Sequence, residues 1–407
     1  MKQFVSYETA YLLVLLAKGK NLYFGIAVLC IAYILSQFFR SFLAVLYSVL
    51  ANDIGAQPDD LAYALGLLFF VFAVMQIPVG WGLDRFGPRI VSSVLLLIGG
   101  GGGAFLFASA QNPSHINLSM ALLGVGCSPI LMASYYIFAR TYSPKVFATL
   151  AATFLGIGSL GTLIGASPLT YFVGLVGWRE AVEVIGLFTI LVSVLLLFTV
   201  GNPDLKNDDY LSAGGFWSIL KSKDILLIAP IAIICYAPVA GLRGIWLGPY
   251  FEEKFEASVD EIGTIGLIMS LGMIFGTFLY GPLDRIFKTR KWIVLTGNFI
   301  CLLSVAGLSF ISELSYTAAI ICFAVIGFFG MSFPVVVAHG RSFVPIELSG
   351  RGVTLMNLFA IGGVGILQAL SGLVFDRTGD FGAVFFVYFV LILMGLAIYL
   401  WSKDNTS

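Results

Sequence analysis

The chain has 407 residues, of which 59% are hydrophobic and 11% are charged, and its formal net charge at pH 7 is zero. Soluble domains carry about a quarter charged residues, so this composition excludes a water-soluble protein. The apolar residues form blocks of about 20 or more, each long enough to cross a bilayer as a helix. The expected fold class is therefore an all-α membrane protein.

Twelve transmembrane helices are predicted along the chain. The longest connection, 201–224, is polar and predicts a cytoplasmic linker between one six-helix half at 1–200 and a second at 225–407. No secretory signal precedes the first span, and the apolar middle of residues 1–20 is too short to span a bilayer, which favours an interfacial segment. The predicted spans are 22–50, 61–82, 90–110, 116–139, 147–173, 180–200, 225–250, 260–282, 291–311, 316–340, 352–375 and 381–401.

Lysine and arginine are distributed unevenly between the two sides of the membrane. With an even number of spans both termini share one side, and 17 of the 22 basic residues fall there, whereas the opposite loops hold only Arg179, Lys254 and Arg377. The positive-inside rule therefore predicts cytoplasmic termini. The compact loops favour a bacterial inner membrane, and an organellar membrane is the alternative.

No constellation for catalysis or metal binding is apparent in the sequence. The five cysteines fall inside predicted spans without a CxxC pair, and the two histidines lack ligand spacing, so no disulfide framework, metal site or cofactor is expected. There is no nucleic-acid signature and no nucleophile–base pair, so we expect no enzyme. The expected partners are the lipid bilayer and a small-molecule substrate, bound by a monomer.

The first half of the sequence recurs in the second at a nearly constant offset. The loop PVGWGLDRFGPRIV matches LYGPLDRIFKTRKWIV, which places Asp84 and Asp284 200 positions apart. The segments ARTYSP and GRSFVP place Arg140 and Arg341 201 positions apart. This pattern predicts two pseudo-symmetric halves, an architecture that transporters use.

The GWGLDRFGPR loop at 80–89, its degenerate copy and the six-plus-six layout resemble the major facilitator superfamily of secondary transporters over essentially the whole chain. The glycine-containing segments of spans 5 and 11 resemble bacterial nitrate and organic-anion porters of that superfamily. The resemblance implies two halves that rock about a central cavity. It also implies charge contacts that gate the cytoplasmic face, although the same charges could serve only topology and helix capping. The gating residues expected on this basis are Asp84, Arg85, Arg89, Asp284, Arg285, Arg140 and Arg341.

Two arginines lie inside predicted spans at equivalent positions. Arg40 in span 1 and Arg243 in span 7 are 203 positions apart and fall at similar depths. A charge at the centre of a membrane helix costs at least about 2.5–3.5 kcal/mol, so a matched pair favours a function. We predict that the two guanidinium groups bind a small organic or inorganic anion in a central cavity. The other predicted substrate-binding residues share the helical faces of these arginines, and they are Tyr33, Gln37, Tyr47, Tyr236, Trp246 and Tyr250.

Several alternatives remain open at this stage. Either arginine could snorkel or pair with an acid, and the substrate could be a zwitterion such as an amino acid or dipeptide. Proton-coupled efflux of drug-like solutes is a further alternative, as is a receptor that kept a transporter fold. Glu183, one turn into span 6, and His339, at the inner end of span 10, are the candidates for proton coupling. The sequence leaves the coupling ion and the direction of transport open.

Overall fold

A computed structural model describes residues 23–142, 150, 153–203, 219–344 and 349–405. In this part of the chain ten helices are long and apolar enough to cross a membrane, and two bent helix pairs bring the number to twelve. The twelve predicted spans are confirmed, with ends that differ by a few residues. The spans are α1 (Tyr23–Phe39 and Phe42–Ile54), α2 (Pro58–Leu83), α3 (Arg85–Ala108), α4 (Pro113–Phe138), α5 (Thr153–Ile164 and Ser167–Val176), α6 (Trp178–Thr199), α7 (Lys223–Phe255), α8 (Val259–Asp284), α9 (Lys291–Phe310), α10 (Tyr316–Arg341), α11 (Leu355–Thr378) and α12 (Phe381–Tyr399).

The spans α1, α5 and α7 are irregular partway along their length. The two parts of α1 meet at an angle of 50°, and the two parts of α5 meet at 42°. In α7 the chain bends at residues 235–236, and it is π-helical over Leu242–Trp246. Irregular backbone within a span is tolerated where the polar groups that it frees find partners inside the protein.

The same glycine contact occurs in both halves of the molecule. A Cβ atom on Gly161 would collide with the carbonyl oxygen of Ile34, so α5 packs directly on the backbone of α1. A Cβ atom on Gly363 would likewise collide with the carbonyl oxygen of Ile233, which places α11 directly on α7. Since the two glycines are 202 positions apart, the structure shows two halves built on one pattern, as predicted.

The halves meet through pairs of spans that each contribute small residues. Gly66 of α2 lies so close to α11 that an added Cβ would come within 3.1 Å of the Gly365 carbonyl oxygen. Gly248 of α7 packs against the Ala44 carbonyl of α1 in the same way. These contacts bring α7 within reach of the break in α1.

The kink at the start of α3, where the chain turns from α2, requires glycine at one position. Gly87 has a φ of 79°, and a Cβ atom there would lie 2.5 Å from the side chain of Asn202. The Asn202 side chain accepts a hydrogen bond of 3.1 Å from the backbone N–H of Arg89. Gly87 therefore allows a tight turn, and Asn202, which follows α6, packs against this turn and bonds to it.

The segment after α12 folds back onto the start of α9. The carboxylate of Asp404 accepts hydrogen bonds from the backbone N–H groups of Arg290 and Lys291, at 3.0 and 3.1 Å, and one from the Thr289 hydroxyl. An acceptor at a helix N-terminus satisfies N–H groups that have no partner within the helix. Asp404 thus caps α9 from a segment more than 100 residues away in sequence.

We expect Asp404→Ala to lower stability at pH 7 by about 0.5–2 kcal/mol through loss of this cap. Burial alone would raise the pKa of Asp404, but the hydrogen bonds from Thr289, Lys291 and Arg290 hold it below its ordinary value. A carboxyl with a lowered folded-state pKa stabilises the protein above its ordinary pKa, and this contribution is lost as the pH falls through the lowered value.

The difference in melting temperature between Asp404→Ala and the parent protein should therefore shrink as the pH is lowered from 7 toward 3, as followed by thermal unfolding in detergent. Asp376→Ala, which removes an exposed acid at the other end of the molecule, is the control. A difference that stays constant with pH would contradict a stabilising role for the Asp404 carboxylate.

The glycine run at 99–103 provides a second stability test within one helix. A Cβ atom on Gly99 would lie 2.5 Å from the carbonyl oxygen of Leu122 and would also collide with the backbone of Gly126, whereas a Cβ on Gly102 would meet nothing within 4 Å. Gly99→Ala should therefore destabilise the protein by about 1–3 kcal/mol, because backbone atoms cannot give way. Gly102→Ala should leave the melting temperature unchanged or raise it slightly. Equal melting temperatures for the two variants would show that α3 and α4 do not pack this closely.

Candidate functional site

The two membrane-embedded arginines lie at irregular points of equivalent spans. Arg40 is the first residue after the helical segment Tyr23–Phe39, in the turn that separates the two parts of α1. Arg243 lies within the π-helical turn Leu242–Trp246 of α7. Both side chains are buried, with 9% of Arg40 and 4% of Arg243 exposed. The predicted pairing of positions is therefore present, but the surroundings of the two guanidinium groups differ.

Arg243 joins the two halves of the protein. Its Nε donates a hydrogen bond of 2.7 Å to the Ser270 hydroxyl of α8, and its Nη1 donates one of 3.3 Å to the carbonyl oxygen of Ser41. Its Nη2 donates to the carbonyl oxygen of Thr162. We call these four residues the Arg243 clasp, since they connect α7 and α8 of the second half to α1 and α5 of the first.

The breaks in α1 and α5 place these carbonyl groups within reach of Arg243. Near the end of the first part of α5, the N–H of Ala166 bonds to the carbonyl of Leu163, so it does not make the regular helical bond to Thr162. Ser41 lies in the turn between the two parts of α1. Carbonyl groups at a helix end carry the negative end of the helix dipole and are natural acceptors for a guanidinium group.

Arg40 has fewer partners than Arg243. Its Nη2 donates a hydrogen bond of 3.1 Å to the Ser36 hydroxyl, and its Cζ lies 4.4 Å from the centre of the Phe72 ring, a cation–π contact. Its Nε is buried and has no hydrogen-bond partner. A buried guanidinium N–H that lacks an acceptor is costly and is uncommon in folded proteins.

Gln76 of α2 lies one helical turn from Phe72, the residue whose ring contacts Arg40, and was not predicted from the sequence. Its Nε2 donates to the carbonyl oxygens of Phe72 at 3.1 Å and of Ser128 at 3.4 Å, while its Oε1 is buried and has no partner. Ser36, the partner of Arg40, donates to the carbonyl of Cys127, the residue next to Ser128 on α4. We call Ser36, Arg40, Phe72 and Gln76 the Arg40 cluster.

Three of the other predicted binding residues lie near this region. Tyr236 of α7 is half-buried and lies near both Arg40 and Arg243. Tyr33 lies near Arg40 and Tyr236, and its ring stacks on Phe154 with the centroids 4.9 Å apart. Gln37 is half-buried on α1, one turn before the break.

Trp246 and Tyr250 do not share the surroundings of Arg243 as the ideal-helix face predicted. Trp246 is fully buried, and its Nε1 donates a hydrogen bond of 3.0 Å to Ser371 of α11. Tyr250 packs among aromatic rings such as Phe385 and lines a cavity of about 320 Å³ with Lys254 and Asp380. The π-helical turn adds about one residue to the helical turn, so it changes the direction of every side chain that follows Arg243.

Tyr47 takes part in contacts between the halves beyond the Arg243 clasp. Its hydroxyl donates a hydrogen bond of 3.0 Å to Glu253, and the Ser48 hydroxyl donates one of 2.5 Å to Glu252. Both glutamates lie near the last turn of α7, at the end of the bundle that carries the fewest basic residues. Together with the Arg243 clasp, these bonds hold the halves together on this side of the membrane centre.

The expected gating residues lie at the basic end of the bundle. Asp284 forms an ion pair with Arg290, with 3.3 Å between Oδ2 and Nε, and the sequence prediction had not assigned Arg290 a role. The guanidinium group of Arg140 lies over the Tyr136 ring at 3.6 Å. Arg85, Arg89 and Arg341 are exposed, and the side chains of Asp84 and Arg285 lie outside the described part of the structure.

The two candidates for proton coupling differ in burial. Glu183 is exposed on α6, so it is not an acid buried inside the bundle. His339 is fully buried; its Nδ1 lies 2.6 Å from the Tyr399 hydroxyl and its Nε2 lies 2.9 Å from the Lys403 carbonyl. A neutral imidazole with its proton on Nε2 satisfies both contacts, which fits attachment of the C-terminal segment to α10.

Comparison with known proteins places this geometry in context. A sequence model described as Major Facilitator Superfamily matches residues 29–242 and 231–407. The chain is 23% identical over 393 residues to a protein of Escherichia coli (strain K12) named "Probable galactarate/D-glucarate transporter GudP", and the match covers 86% of each chain. It is 22% identical over 398 residues to a protein of Cupriavidus necator named "Probable sulfoacetate transporter SauU", with 91% of each chain covered. Among solved structures, a mutant form of the nucleoside transporter NupG superposes with a TM-score of 0.74 at 13% identity, over 93% of this chain and 99% of that one.

Proposed function

The chain belongs to the major facilitator superfamily, and from this premise we propose that it carries a small organic anion across the membrane by alternating access, with Arg40 as the primary anion-binding group. The family and the named relatives are transporters, which move solutes without converting them, so the protein is not an enzyme. It is a multi-pass membrane protein with up to twelve spans.

The unpartnered Nε of Arg40 is the observation that carries the proposal. A guanidinium group keeps its charge in proteins, and a buried charge without a partner is strongly unfavourable. Arg243 meets this requirement through three acceptors within the protein, whereas Arg40 has one hydroxyl and one aromatic ring. An anion at Arg40 would supply the missing acceptor through a charge-assisted hydrogen bond.

The class of anion follows from the relatives. The names of the two relatives refer to galactarate or D-glucarate and to sulfoacetate, which are small organic acids. A carboxylate or a sulfonate presents two or more oxygens to the planar guanidinium fork. A small organic acid is therefore the substrate class that this site fits best.

Alternating access gives the Arg243 clasp a role in the transport cycle. The positive-inside rule assigns the basic end to the cytoplasm, so the clasp and the bonds of Tyr47 and Ser48 would lie toward the outside. In this assignment the described conformation is closed to the outside. Opening to the outside would require Arg243 to leave the carbonyls of Ser41 and Thr162.

We expect Arg40→Ala to abolish the stabilisation of the purified protein by its anion. A ligand at about 100 times its Kd stabilises the native state by about 2.7 kcal/mol, so D-glucarate or sulfoacetate should raise the melting temperature of the parent protein in detergent. The shift should vanish in Arg40→Ala, and uptake of the labelled anion into proteoliposomes should be lost. Arg40→Lys keeps the charge but loses the fork, so its Kd should rise about tenfold or more.

Arg377→Ala removes an exposed arginine and should keep the full anion-dependent shift. An anion-dependent shift that survives in Arg40→Ala would refute the assigned role of Arg40. Stabilisation by amino acids, dipeptides or cationic solutes, with none by organic anions, would refute the substrate class.

Removal of the Arg243 clasp should shift the protein toward opening at the end that holds Glu252 and Glu253. Hydrogen bonds to a charged group contribute about 1.5–3 kcal/mol each, so Arg243→Ala should raise the open population about tenfold or more. Nitroxide labels at Ser114 and Ser312, which are exposed in different halves at this end, would report the change as longer distances in double electron–electron resonance. The measurement uses a background in which the five native cysteines are replaced.

Arg179→Ala is the matched control, because this arginine lies at the same end and binds Asp53, Ala108 and Ala110, all within the first half. It should leave the distance distribution unchanged. If Arg243→Ala also gave the parental distribution, the clasp would have no role in closing this end.

A further inference from the structure

Resting on the proposed function, we infer that Gln76 selects anions that carry a hydroxyl group near the carboxylate, so that the substrate is a hydroxy acid rather than a plain organic acid. The inference comes from the two unsatisfied atoms of the Arg40 cluster. Arg40 Nε is a donor without an acceptor, and Gln76 Oε1 is an acceptor without a donor.

The orientation of the Gln76 amide is determined by its neighbours. Its Nε2 faces the carbonyl oxygens of Phe72 and Ser128, and the reverse orientation would set the amide oxygen against two other oxygens. The unpartnered atom is therefore the oxygen, which can only accept a hydrogen bond. Gln76 is 4% exposed, so bulk water does not readily satisfy this atom.

The two unsatisfied atoms lie in one cluster. Arg40 stacks on Phe72, which lies one helical turn from Gln76 and accepts a hydrogen bond from its side chain. Arg40 and Gln76 are also connected to adjacent carbonyl groups of α4. Ser36, which accepts a hydrogen bond from Arg40, donates one to the Cys127 carbonyl, and Gln76 donates one to the Ser128 carbonyl. A solute that satisfies both atoms needs an anionic group for Arg40 and a hydrogen-bond donor close to it.

A hydroxyl group beside a carboxylate provides both functions. A plain dicarboxylate or a sulfoalkanoate would satisfy Arg40 and leave Gln76 Oε1 buried without a donor. A buried polar atom left without a partner costs about 1–3 kcal/mol, which corresponds to a preference of about 5- to 150-fold for the hydroxylated anion. Gln76 is thus assigned as a specificity-determining residue that contacts the substrate.

The test compares two anions that have the same six-carbon dicarboxylate backbone, D-glucarate with hydroxyl groups and adipate without them. Dissociation constants are measured by titration calorimetry on the full chain in detergent, together with the unliganded melting temperature. The parent protein should bind D-glucarate at least about tenfold more tightly than adipate. Gln76→Met keeps the length and burial of the side chain but removes the acceptor, so it should weaken D-glucarate about tenfold while adipate affinity stays the same or improves.

Gln368→Met is the matched control. Gln368 is a fully buried glutamine in the second half with an unpartnered amide atom, Nε2, and its Oε1 accepts a bond from Tyr388. This variant should keep the ratio of the two dissociation constants even if its melting temperature falls.

The outcomes separate this inference from the proposed function. Equal binding of the two anions by the parent protein, or a ratio unchanged in Gln76→Met, overturns the role of Gln76 and leaves anion transport through Arg40 intact. If neither these anions nor sulfoacetate bind, the proposed function fails and the inference with it. If Gln76→Met does not fold, the malate-to-succinate ratio of the parent protein decides, because these two acids differ only by one hydroxyl group beside a carboxylate.

Discussion

The requirement that a buried guanidinium group find acceptors for its N–H groups governs the centre of this protein. A regular transmembrane helix offers few acceptors, because its carbonyl groups are already bonded within the helix. Arg243 finds them where α1 and α5 are interrupted, at the carbonyls of Ser41 and Thr162. The irregular backbone leaves carbonyl groups without a donor, and the buried guanidinium group needs acceptors for its N–H groups. Each is unfavourable alone, and each satisfies the other's hydrogen-bonding groups. The contact also crosses between the halves, so the same bonds that satisfy the charge fix the halves in one relative arrangement.

Internal symmetry makes the difference between the two arginines informative. Arg40 and Arg243 occupy equivalent positions in repeated halves, yet Arg243 is bonded to three groups within the protein while the Nε of Arg40 has no partner. The sequence repeat accounts for the shared position, and the different partners reflect how the two halves are docked. Under the proposed function, Arg243 would hold the closed end while Arg40 would bind the solute. A change in docking would then release Arg243 from its acceptors.

The sequence predicted the large features because they follow from hydropathy and repetition. All twelve spans, the two-half design and the burial of both arginines were predicted, since an apolar run of about 20 residues has few alternatives to a membrane helix. An ideal helical face does not describe α7 where it is irregular, because Trp246 ends a π-helical turn and Tyr250 follows it, and no residue pattern in the sequence indicated this turn. Gln76 was missed although it is a polar residue in the otherwise apolar run FFVFAVMQIPVG, a signal weaker than a charge but present. The position of Gln76 relative to Arg40 depends on how α1, α2 and α4 pack. That packing cannot be predicted from the hydropathy or repeat pattern of a single sequence.

A transporter site should hold polar groups that the protein itself leaves unsatisfied. If the chain satisfied every N–H of Arg40 and the oxygen of Gln76, a solute would have to displace those bonds and would gain little by binding. Unsatisfied groups make the empty protein less stable. A solute that bonds to these groups recovers that free energy, which contributes to its affinity. Asn298 and Trp246, both fully or nearly fully buried, each have partners within the second half, whereas Gln368 Nε2 is a single buried donor without one. The pairing of an unsatisfied donor with a nearby unsatisfied acceptor in the Arg40 cluster is therefore better explained by a solute that completes both than by imperfect packing.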